Sequence, residues 1–195
     1  MLYAKRHVLA PVERAIGKLF AFLPPNAWTL LSIIFALIFA FAVSQYMFLA
    51  GSALLLATAF LDLIDGSVAR YTKSATVKGA YLDTIADRYV EGIVIISLLF
   101  VGLPDYVVPA SLWIFAYLFG SFMTTYAKAA LAEKARQEIM GGLLERAERM
   151  LILIVGVFLA SMNVDYLLYV VIALAILTNI SALQRICIGM KNINK

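Results

Sequence analysis

Residues 27–61 read AWTLLSIIFALIFAFAVSQYMFLAGSALLLATAFL and contain no charged side chain over 35 consecutive positions. A helix crosses the hydrocarbon core of a bilayer with about 20 mostly apolar residues. The run is therefore too long for one membrane span and just long enough for two. The polar pair Ser44-Gln45 lies near its middle and is the predicted turn. The stretch thus predicts a helical hairpin in a membrane.

Four more uncharged stretches follow, at residues 92–104, 106–127, 150–164 and 166–184. Each predicts most of one further membrane helix. We therefore predict an all-α integral membrane protein with six transmembrane helices, over residues 27–43, 46–64, 80–102, 106–130, 144–162 and 166–188. The turns after the third and fifth spans are expected at Leu103-Pro104-Asp105 and at residues 162–165.

The composition of the whole chain supports the same class. Of 195 residues, 64% are apolar and only 14% are charged, and the mean hydropathy is +0.93. An ordinary soluble domain is about half apolar and about a quarter charged. A single soluble core of this size cannot hide so much apolar side chain, which excludes a soluble globular protein and a disordered chain. The lone Cys187 excludes a disulfide scaffold.

The basic residues indicate how the chain is oriented. With six spans, all 16 Lys and Arg residues fall on one side of the membrane. The positive-inside rule makes that side cytoplasmic, so a multi-pass protein of the cell membrane is expected, with both termini in the cytoplasm. This topology explains the pI near 9.2, and nucleic-acid binding is not needed to account for it.

The N-terminal residues predict a helix that lies on the membrane surface. Between residues 1 and 22, apolar residues recur at helical spacing with Lys and Arg interspersed. The pattern predicts an amphipathic helix with its basic side toward anionic headgroups. Pro24-Pro25 is expected to end this helix. The chain is thus predicted to be a single membrane domain over 1–195, with a juxtamembrane helix at 1–22 and a six-helix bundle at 27–188.

Two pairs of acidic residues stand where the second and third spans approach each other. Asp62 and Asp65 lie one turn apart at the end of the second span, and Asp83 and Asp87 lie one turn apart in the third. At 3.6 residues per turn, each pair projects from one face of its helix. A loop over residues 66–80 would join the spans as an antiparallel pair, so the acidic faces are expected to converge.

These acids require positive charge nearby. Ionised acids are costly in membrane helices and are usually functional there, and converging carboxylates repel one another. Arg70 and Arg88 are expected to offset them in part. Glu91 is expected either to tune the metal site or to pair with Arg88 at i, i+3. An oxygen-only cluster suits a hard divalent cation, Mg²⁺ or Mn²⁺. The alternative is that the acids only cap helix ends and pair with Arg70, Arg88 and Lys78.

The spacing of these residues resembles a known signature. The chain reads Asp-Leu-Ile-Asp-Gly-Ser-Val-Ala-Arg from residue 62, then Gly79, Asp83 and Asp87. This matches D-x2-D-G-x2-A-R-x8-G-x3-D-x3-D of the CDP-alcohol phosphotransferases at all eight fixed positions: Asp62, Asp65, Gly66, Ala69, Arg70, Gly79, Asp83 and Asp87. Residues 25–29, Pro-Asn-Ala-Trp-Thr, also resemble the P-N-x-x-[ST] segment of that family.

The resemblance implies a reaction and a role for each matching residue. An acceptor hydroxyl attacks the β-phosphorus of a CDP-linked alcohol and releases CMP, with two divalent ions against the phosphates. Asp87 would also be the base for the hydroxyl. The metal ligands implied are Asp62, Asp65, Asp83 and Asp87. The implied contacts of the CDP moiety are Gly66, Arg70, Gly79, Asn26 and Thr29.

A second motif points to the acceptor. The run Gly142-Leu-Leu-Glu-Arg-Ala-Glu-Arg149 resembles the G-x-x-E-R-x-E-R motif of the phosphatidylinositol-phosphate and archaetidylinositol-phosphate synthases, which use inositol 1-phosphate. The resemblance implies that Lys128, Arg146 and Arg185 bind the acceptor phosphate. The branch often reads K-A-R-x-E after the tyrosine late in the fourth span, and here that sequence begins only at Lys134. Lys134 therefore remains an alternative to Lys128.

The predicted function is transfer of a phosphatidyl or archaetidyl group from a CDP-linked lipid to inositol 1-phosphate, with membrane lipids around the enzyme. Glycerol 3-phosphate, serine or another small alcohol, or CDP-inositol-based synthesis of a soluble solute, remain alternatives of the same chemistry. A divalent-cation transporter is the alternative of another class, although such sites usually lie near the bilayer midplane. A homodimer is expected from the family resemblance alone.

Overall fold

The structure is a computed structural model that describes residues 6–136 and 142–193. Within these ranges it contains seven α-helices and no β-strand, and a single 3₁₀ turn at Leu98–Phe100 extends the fourth helix. The helices are α1 (Arg6–Leu19), α2 (Pro25–Ser44), α3 (Phe48–Tyr71), α4 (Val77–Ser97), α5 (Ala110–Ala135), α6 (Arg146–Ala160) and α7 (Val164–Ile193).

Each of the six predicted spans coincides with one helix, from α2 to α7. Three are long and apolar enough to cross a membrane, namely α2, α3 and residues 164–191 of α7. Helix α4 carries four charged residues between positions 83 and 91, so its composition is not apolar enough for a span by this measure. Helix α6 has only 15 residues and is too short. The all-helical membrane class is confirmed, and the number of six spans stays a prediction.

Several helix boundaries differ from the prediction, among them the end of α3 and the start of α5. Helix α3 continues to Tyr71, so the expected loop over residues 66–80 is wrong, and only residues 72–76 connect α3 to α4. No proline interrupts this part of α3, and Val68 is buried on it. Helix α5 begins at Ala110 rather than at residue 106, because Pro109 precedes it and the Asp105 carboxylate accepts the N–H of Ala110 at 2.9 Å.

The N-terminal helix also ends earlier than predicted. Helix α1 ends at Leu19, whereas Pro24 and Pro25 begin α2 instead of ending α1. Proline is favoured at the first helical position, where no N–H is needed. Helix α1 packs on α3 so closely that a Cβ at Gly17 would lie 2.5 Å from the Ser67 carbonyl oxygen. One face of α1 is therefore covered by protein.

The helices enclose a shared apolar core. Helix α2 packs against α3 and α4, α5 runs along α7, and α6 lies between α3 and α7. Fully buried side chains from six of the helices meet in this core, among them Phe39, Leu55, Val94, Tyr117, Leu153 and Leu174. Large apolar residues also cover the outer surface, as a hydrocarbon surrounding requires, including Phe41, Phe119 and Leu183.

The close approach of α5 and α7 depends on Gly120. A Cβ there would lie 2.5 Å from Thr178 Oγ1 and 2.8 Å from the backbone nitrogen of Asn179. We expect Gly120→Ala to destabilise the fold by about 1 to 3 kcal/mol, measured as a lower Tm in detergent. Gly92→Ala is the control, since its Cβ would meet only Phe122 at 3.5 Å. Equal Tm values for the two variants would contradict the close packing.

Candidate active site

Three carboxylates from two helices meet in one cluster. Asp62 of α3 and Asp83 and Asp87 of α4 each place an oxygen within 4.8 Å of the others. We call these three residues the acid cluster. They come together because α3 and α4 are joined by only five residues and both pack against α2, while Asp83 and Asp87 share one helix face. All three are partly exposed, so an ion has access to them.

A cation from a distant part of the chain contacts this cluster. The Arg146 guanidinium lies 2.9 Å from Asp62 Oδ1 and 2.7 Å from Asp87 Oδ1 through the same Nη1 atom. A positively charged group therefore fits between the carboxylates of α3 and α4. Their donor set contains only carboxylate oxygens, the ligands that Mg²⁺ and Mn²⁺ prefer, so these residues fit a hard divalent ion.

The position of Arg146 follows from how α6 begins. The Glu148 carboxylate accepts the N–H of Glu145 at 2.9 Å, one half of a capping box that starts α6 at Arg146. The glutamates of the E-R-x-E-R run therefore cap the start of α6. The arginines of the same run face acids of α3 and α4. Within the described residues, neither Arg70 nor Arg88 forms an ion pair with the acid cluster, although both were expected to offset it in part. Arg70 pairs instead with Glu13 of α1 and Arg88 with Glu91.

Asp65 has different surroundings from the other three acids. It lies one turn from Asp62 on α3 but is buried, with 6% of its surface exposed, and stands outside the acid cluster. Its Oδ2 accepts a hydrogen bond from the Thr29 hydroxyl of α2 at 2.7 Å. The P-N-x-x-[ST] segment at the start of α2 thus contacts the second aspartate of the signature.

The buried Thr29–Asp65 hydrogen bond gives a direct test of this arrangement. Thr29→Val keeps the shape of the side chain and removes the donor, which leaves a buried carboxylate short of a partner. We expect a loss of about 1 to 3 kcal/mol in the free energy of unfolding, seen as a lower Tm in detergent. Thr29→Ser retains the hydroxyl and should keep most of the stability. Equal Tm values for Thr29→Val and the unchanged protein would contradict the contact.

The remaining residues expected to contact a nucleotide lie near these acids. A Cβ on Gly79 would be 3.6 Å from Asn26 Oδ1, so the starts of α2 and α4 are adjacent. A Cβ on Gly66 would be 3.2 Å from Arg70 Nη1, so this glycine leaves room for the arginine one turn along α3. The structure therefore brings together one face built from α2, α3 and α4.

Two of the three residues expected to bind an acceptor phosphate have a defined setting. Arg185 of α7 is buried and donates from Nη1 to the Thr124 carbonyl oxygen of α5 at 2.9 Å. Its guanidinium also lies against Gly142, where a Cβ would come within 2.7 Å of Nε. The Nε atoms of Arg185 and Arg146 are both buried and have no hydrogen-bond partner in the part of the chain that the structure describes.

The two candidate lysines differ in their position on α5. Lys128 is four residues after Thr124, so it lies one turn farther along the same helix face. Lys134 is ten residues after Thr124, about 15 Å along the axis and on a different face. It pairs with its neighbour Glu133 at 2.8 Å, and both side chains are highly exposed. The helix geometry favours Lys128 as the residue near Arg185.

Sequence reasoning missed a second charged layer next to the acid cluster. Glu91 and Arg149 are almost fully buried, at 3% and 2% exposure, and form an ion pair at 2.6 Å. The predicted Arg88–Glu91 pair is confirmed at 2.5 Å. Glu91 follows Asp87 by four residues, and this spacing could have indicated that Glu91 lies on the same face of α4 as the acid cluster. Nothing in the sequence connects Glu91 to α6.

An apolar cavity of about 480 Å³ lies between α2, α4 and α5. Its lining includes Gly92, Ile96, Phe100 and Phe122, and Arg88 is the one charged residue that lines it. None of the acid cluster faces this cavity, so it lacks the groups that phosphate chemistry requires.

Comparison with known proteins agrees with this site. The family model of CDP-alcohol phosphatidyltransferase matches residues 22–181. The archaetidylinositol phosphate synthase of Pyrococcus horikoshii is 30% identical over 182 residues, covering 92% of this chain and 90% of the relative. The phosphatidylinositol phosphate synthase of Mycobacterium tuberculosis, solved with manganese and citrate, is 25% identical with a TM-score of 0.79, over 92% of this chain and 88% of that chain. The same enzyme solved with CDP-DAG bound has a TM-score of 0.78 at 25% identity, over 94% of each chain. The chain belongs to the CDP-alcohol phosphatidyltransferase family and is a transferase of phospholipid biosynthesis.

Proposed function

We propose that this enzyme transfers a phosphatidyl or archaetidyl group from a CDP-linked lipid to inositol 1-phosphate and releases CMP. The observation that carries the proposal is the contact of Arg146 with Asp62 and Asp87 of the acid cluster. This contact brings a cation that could bind the acceptor phosphate next to the acids that would take part in the reaction. The donor is CDP-diacylglycerol or CDP-archaeol. The relatives named above are synthases of phosphoinositol lipids with either type of core.

The donor side of the site would hold the CDP group. The candidates are Gly66, Arg70, Gly79, Asn26 and Thr29. Their proximity supports this role. Asn26 is near Gly79, and Thr29 contacts Asp65. Gly66 lies against the guanidinium of Arg70. The Mycobacterium tuberculosis enzyme with a similar fold binds CDP-DAG.

Two Mg²⁺ or Mn²⁺ ions would be held by Asp62, Asp65, Asp83 and Asp87. Three of these carboxylates already converge within 4.8 Å, and the similar Mycobacterium tuberculosis enzyme was solved with manganese. When bound, the ions supply positive charge against the pyrophosphate and the leaving CMP. Thr29 orients Asp65 through its hydrogen bond, and Asp62 and Asp87 share the Arg146 contact.

The acceptor phosphate would bind to Lys128, Arg146 and Arg185. A dianionic acceptor approaching an acidic site needs cations to offset the repulsion. Arginine is suited to phosphate because it offers several N–H donors in a planar arrangement. Unpartnered Nε atoms on Arg146 and Arg185, and the position of Lys128 on the Thr124 face of α5, support a shared anion site.

Asp87 would be the base for the reaction. An inositol hydroxyl forms a bond from its oxygen to the β-phosphorus, the bond to the bridging oxygen breaks, and CMP leaves with its electron pair. The hydroxyl proton passes to the Asp87 carboxylate. Because Arg146 lies 2.7 Å from Asp87, a phosphate bound to this arginine would bring the acceptor close to that base.

The membrane arrangement belongs to the same proposal. Six spans over residues 27–188 would cross the cell membrane, with α1 at the surface and both termini and the site on the cytoplasmic side. The basic residues near the helix ends support this orientation. We expect a single domain over residues 1–195 that works as a homodimer surrounded by membrane lipids.

CMP release by the purified protein tests the proposal. The assay contains Mg²⁺ or Mn²⁺, a CDP-lipid and one acceptor at a time: inositol 1-phosphate, inositol, glycerol 3-phosphate or serine. We expect CMP release when inositol 1-phosphate is the acceptor and no release with the other three acceptors. Release with another acceptor would overturn the acceptor assignment and leave the family chemistry intact. Metal flux in liposomes without any CDP-alcohol would favour a transporter instead.

A further inference from the structure

Next to the acid cluster, a second group of charges is formed by residues of α4, α5 and α6. The Glu91 carboxylate accepts hydrogen bonds from Arg149 Nε at 2.9 Å and Nη2 at 2.6 Å, and from Arg88 Nη1 at 2.5 Å. We call Arg88, Glu91 and Arg149 the inner charged layer. Hydroxyl groups of α5 complete it, from Ser121, Thr124 and Thr125.

Most of the N–H groups of Arg149 already have partners within the protein. Its Nε and Nη2 donate to Glu91, and its Nη1 contacts the Thr124 hydroxyl and the Leu144 carbonyl oxygen, each at 3.4 Å. Only 2% of the residue is exposed. The second arginine of the E-R-x-E-R run therefore acts on other parts of the protein, and only the first, Arg146, faces the acid cluster.

The inner charged layer joins two helices that pack mainly on other partners. Helix α4 packs against α2 and α5, and α6 packs against α3 and α7. Two ion pairs connect α4 to α6, Asp87–Arg146 and Glu91–Arg149. Asp87 and Glu91 are one turn apart on α4, and Arg146 and Arg149 are about one turn apart on α6. The buried pair and the pair at the site therefore lie about one turn apart between the same two helices.

We propose that Glu91 and Arg149 are positioning residues, whose buried ion pair fixes the start of α6 against α4 so that Arg146 faces Asp62 and Asp87. The consequence for the acceptor rests on the proposed function, because it takes Arg146 as a phosphate-binding residue. A buried ion pair seldom adds much net stability compared with apolar residues of similar size. In this protein the Glu91–Arg149 pair would instead hold α4 and α6 in one specific arrangement.

The size of the effect follows from the need for accurate placement. A misplacement of about 1 Å in an active site costs about 100-fold in rate. Without Arg149, α6 loses its buried ion pair with α4, and of the two pairs only Asp87–Arg146, at the partly exposed site, remains. We expect Arg149→Gln to raise the KM for inositol 1-phosphate about tenfold or more. The KM for the CDP-lipid and kcat should change by less than about threefold.

Arg149→Gln is preferable to a change at Glu91 because it leaves one cation and one carboxylate in the inner charged layer, which then carries no net charge. Glu91 keeps its partner Arg88 when Arg149 is removed, whereas Glu91→Gln leaves two buried guanidinium groups without a carboxylate. Arg149→Lys, which keeps the charge but offers fewer donors, is the matched variant and should restore part of the acceptor KM. A lower Tm with unchanged KM values in folded Arg149→Gln protein would show a purely structural pair and overturn the proposal.

A double-mutant cycle separates this proposal from the acceptor assignment. If Arg149 acts through Arg146, adding Arg149→Gln to Arg146→Gln should change the acceptor KM by less than about twofold. The same cycle is run on the dissociation constant of Mn²⁺ alone, measured by electron paramagnetic resonance on the full chain in detergent. Coupling in the Mn²⁺ cycle without any effect on inositol 1-phosphate would retain the positioning role and reject the acceptor. Additive effects in both cycles would reject the positioning role.

Discussion

Replacing Asp87 with asparagine is expected to lower CMP release at least about 1,000-fold while the protein stays folded. A positioned general base contributes about 100- to 10,000-fold, and the same carboxylate belongs to the acid cluster. Asparagine has the same shape but cannot accept the hydroxyl proton or supply a negative charge. Arg146 keeps Asp62 as a partner in this variant, so no unpaired cation is created.

The two roles of Asp87 have different signatures. Loss of a metal ligand should weaken Mn²⁺ binding, whereas loss of the base alone should leave the Mn²⁺ dissociation constant unchanged. Asp165→Asn, at an exposed acid that begins α7, is the matched control and should retain activity. Turnover near that of the unchanged enzyme in Asp87→Asn would reject both roles.

Replacing Arg146 with glutamine should have opposite effects on the two ligands. A charge-assisted hydrogen bond contributes about 1.5 to 3 kcal/mol, so the KM for inositol 1-phosphate should rise about 10- to 100-fold. Mn²⁺ should bind several-fold more tightly, because the guanidinium that contacts both Asp62 and Asp87 competes with a metal for the same oxygens. The KM for the CDP-lipid should change little.

Kinetics with each substrate varied in turn, together with Mn²⁺ titration, measure these effects. Arg14→Gln removes an exposed cation of α1 far along the chain from α6 and serves as the control for net charge. Weaker Mn²⁺ binding in Arg146→Gln would show that this arginine supports the metal site instead of competing with it. An unchanged acceptor KM would remove Arg146 from the acceptor site.

Local sequence patterns were sufficient for much of the fold. Uncharged stretches and the turn at Ser44-Gln45 located six helices, because hydropathy and helix length act over short distances along the chain. Helix ends were less predictable. Tyr71 belongs to α3 and Pro24 belongs to the start of α2, since packing between helices and local capping decide where a helix stops.

The site divides in the same way. Asp62, Asp83 and Asp87 could be placed together from sequence because a fixed helical period and a short connection bring them to adjoining faces. Their counter-ion could not. Arg70 and Arg88 were nearer along the chain, yet each pairs with another acid, and Arg146 of a later helix contacts the acid cluster instead.

The amino-acid sequence is enough to identify an all-helical membrane protein with a carboxylate cluster spaced for divalent ions. Those features depend on hydropathy and on residues three or four positions apart. The pairing of cations with acids, including the buried Glu91–Arg149 pair between α4 and α6, is visible only in the three-dimensional structure. Such pairs depend on how distant helices pack, because each guanidinium reaches whichever carboxylate the packing places within about 3 Å.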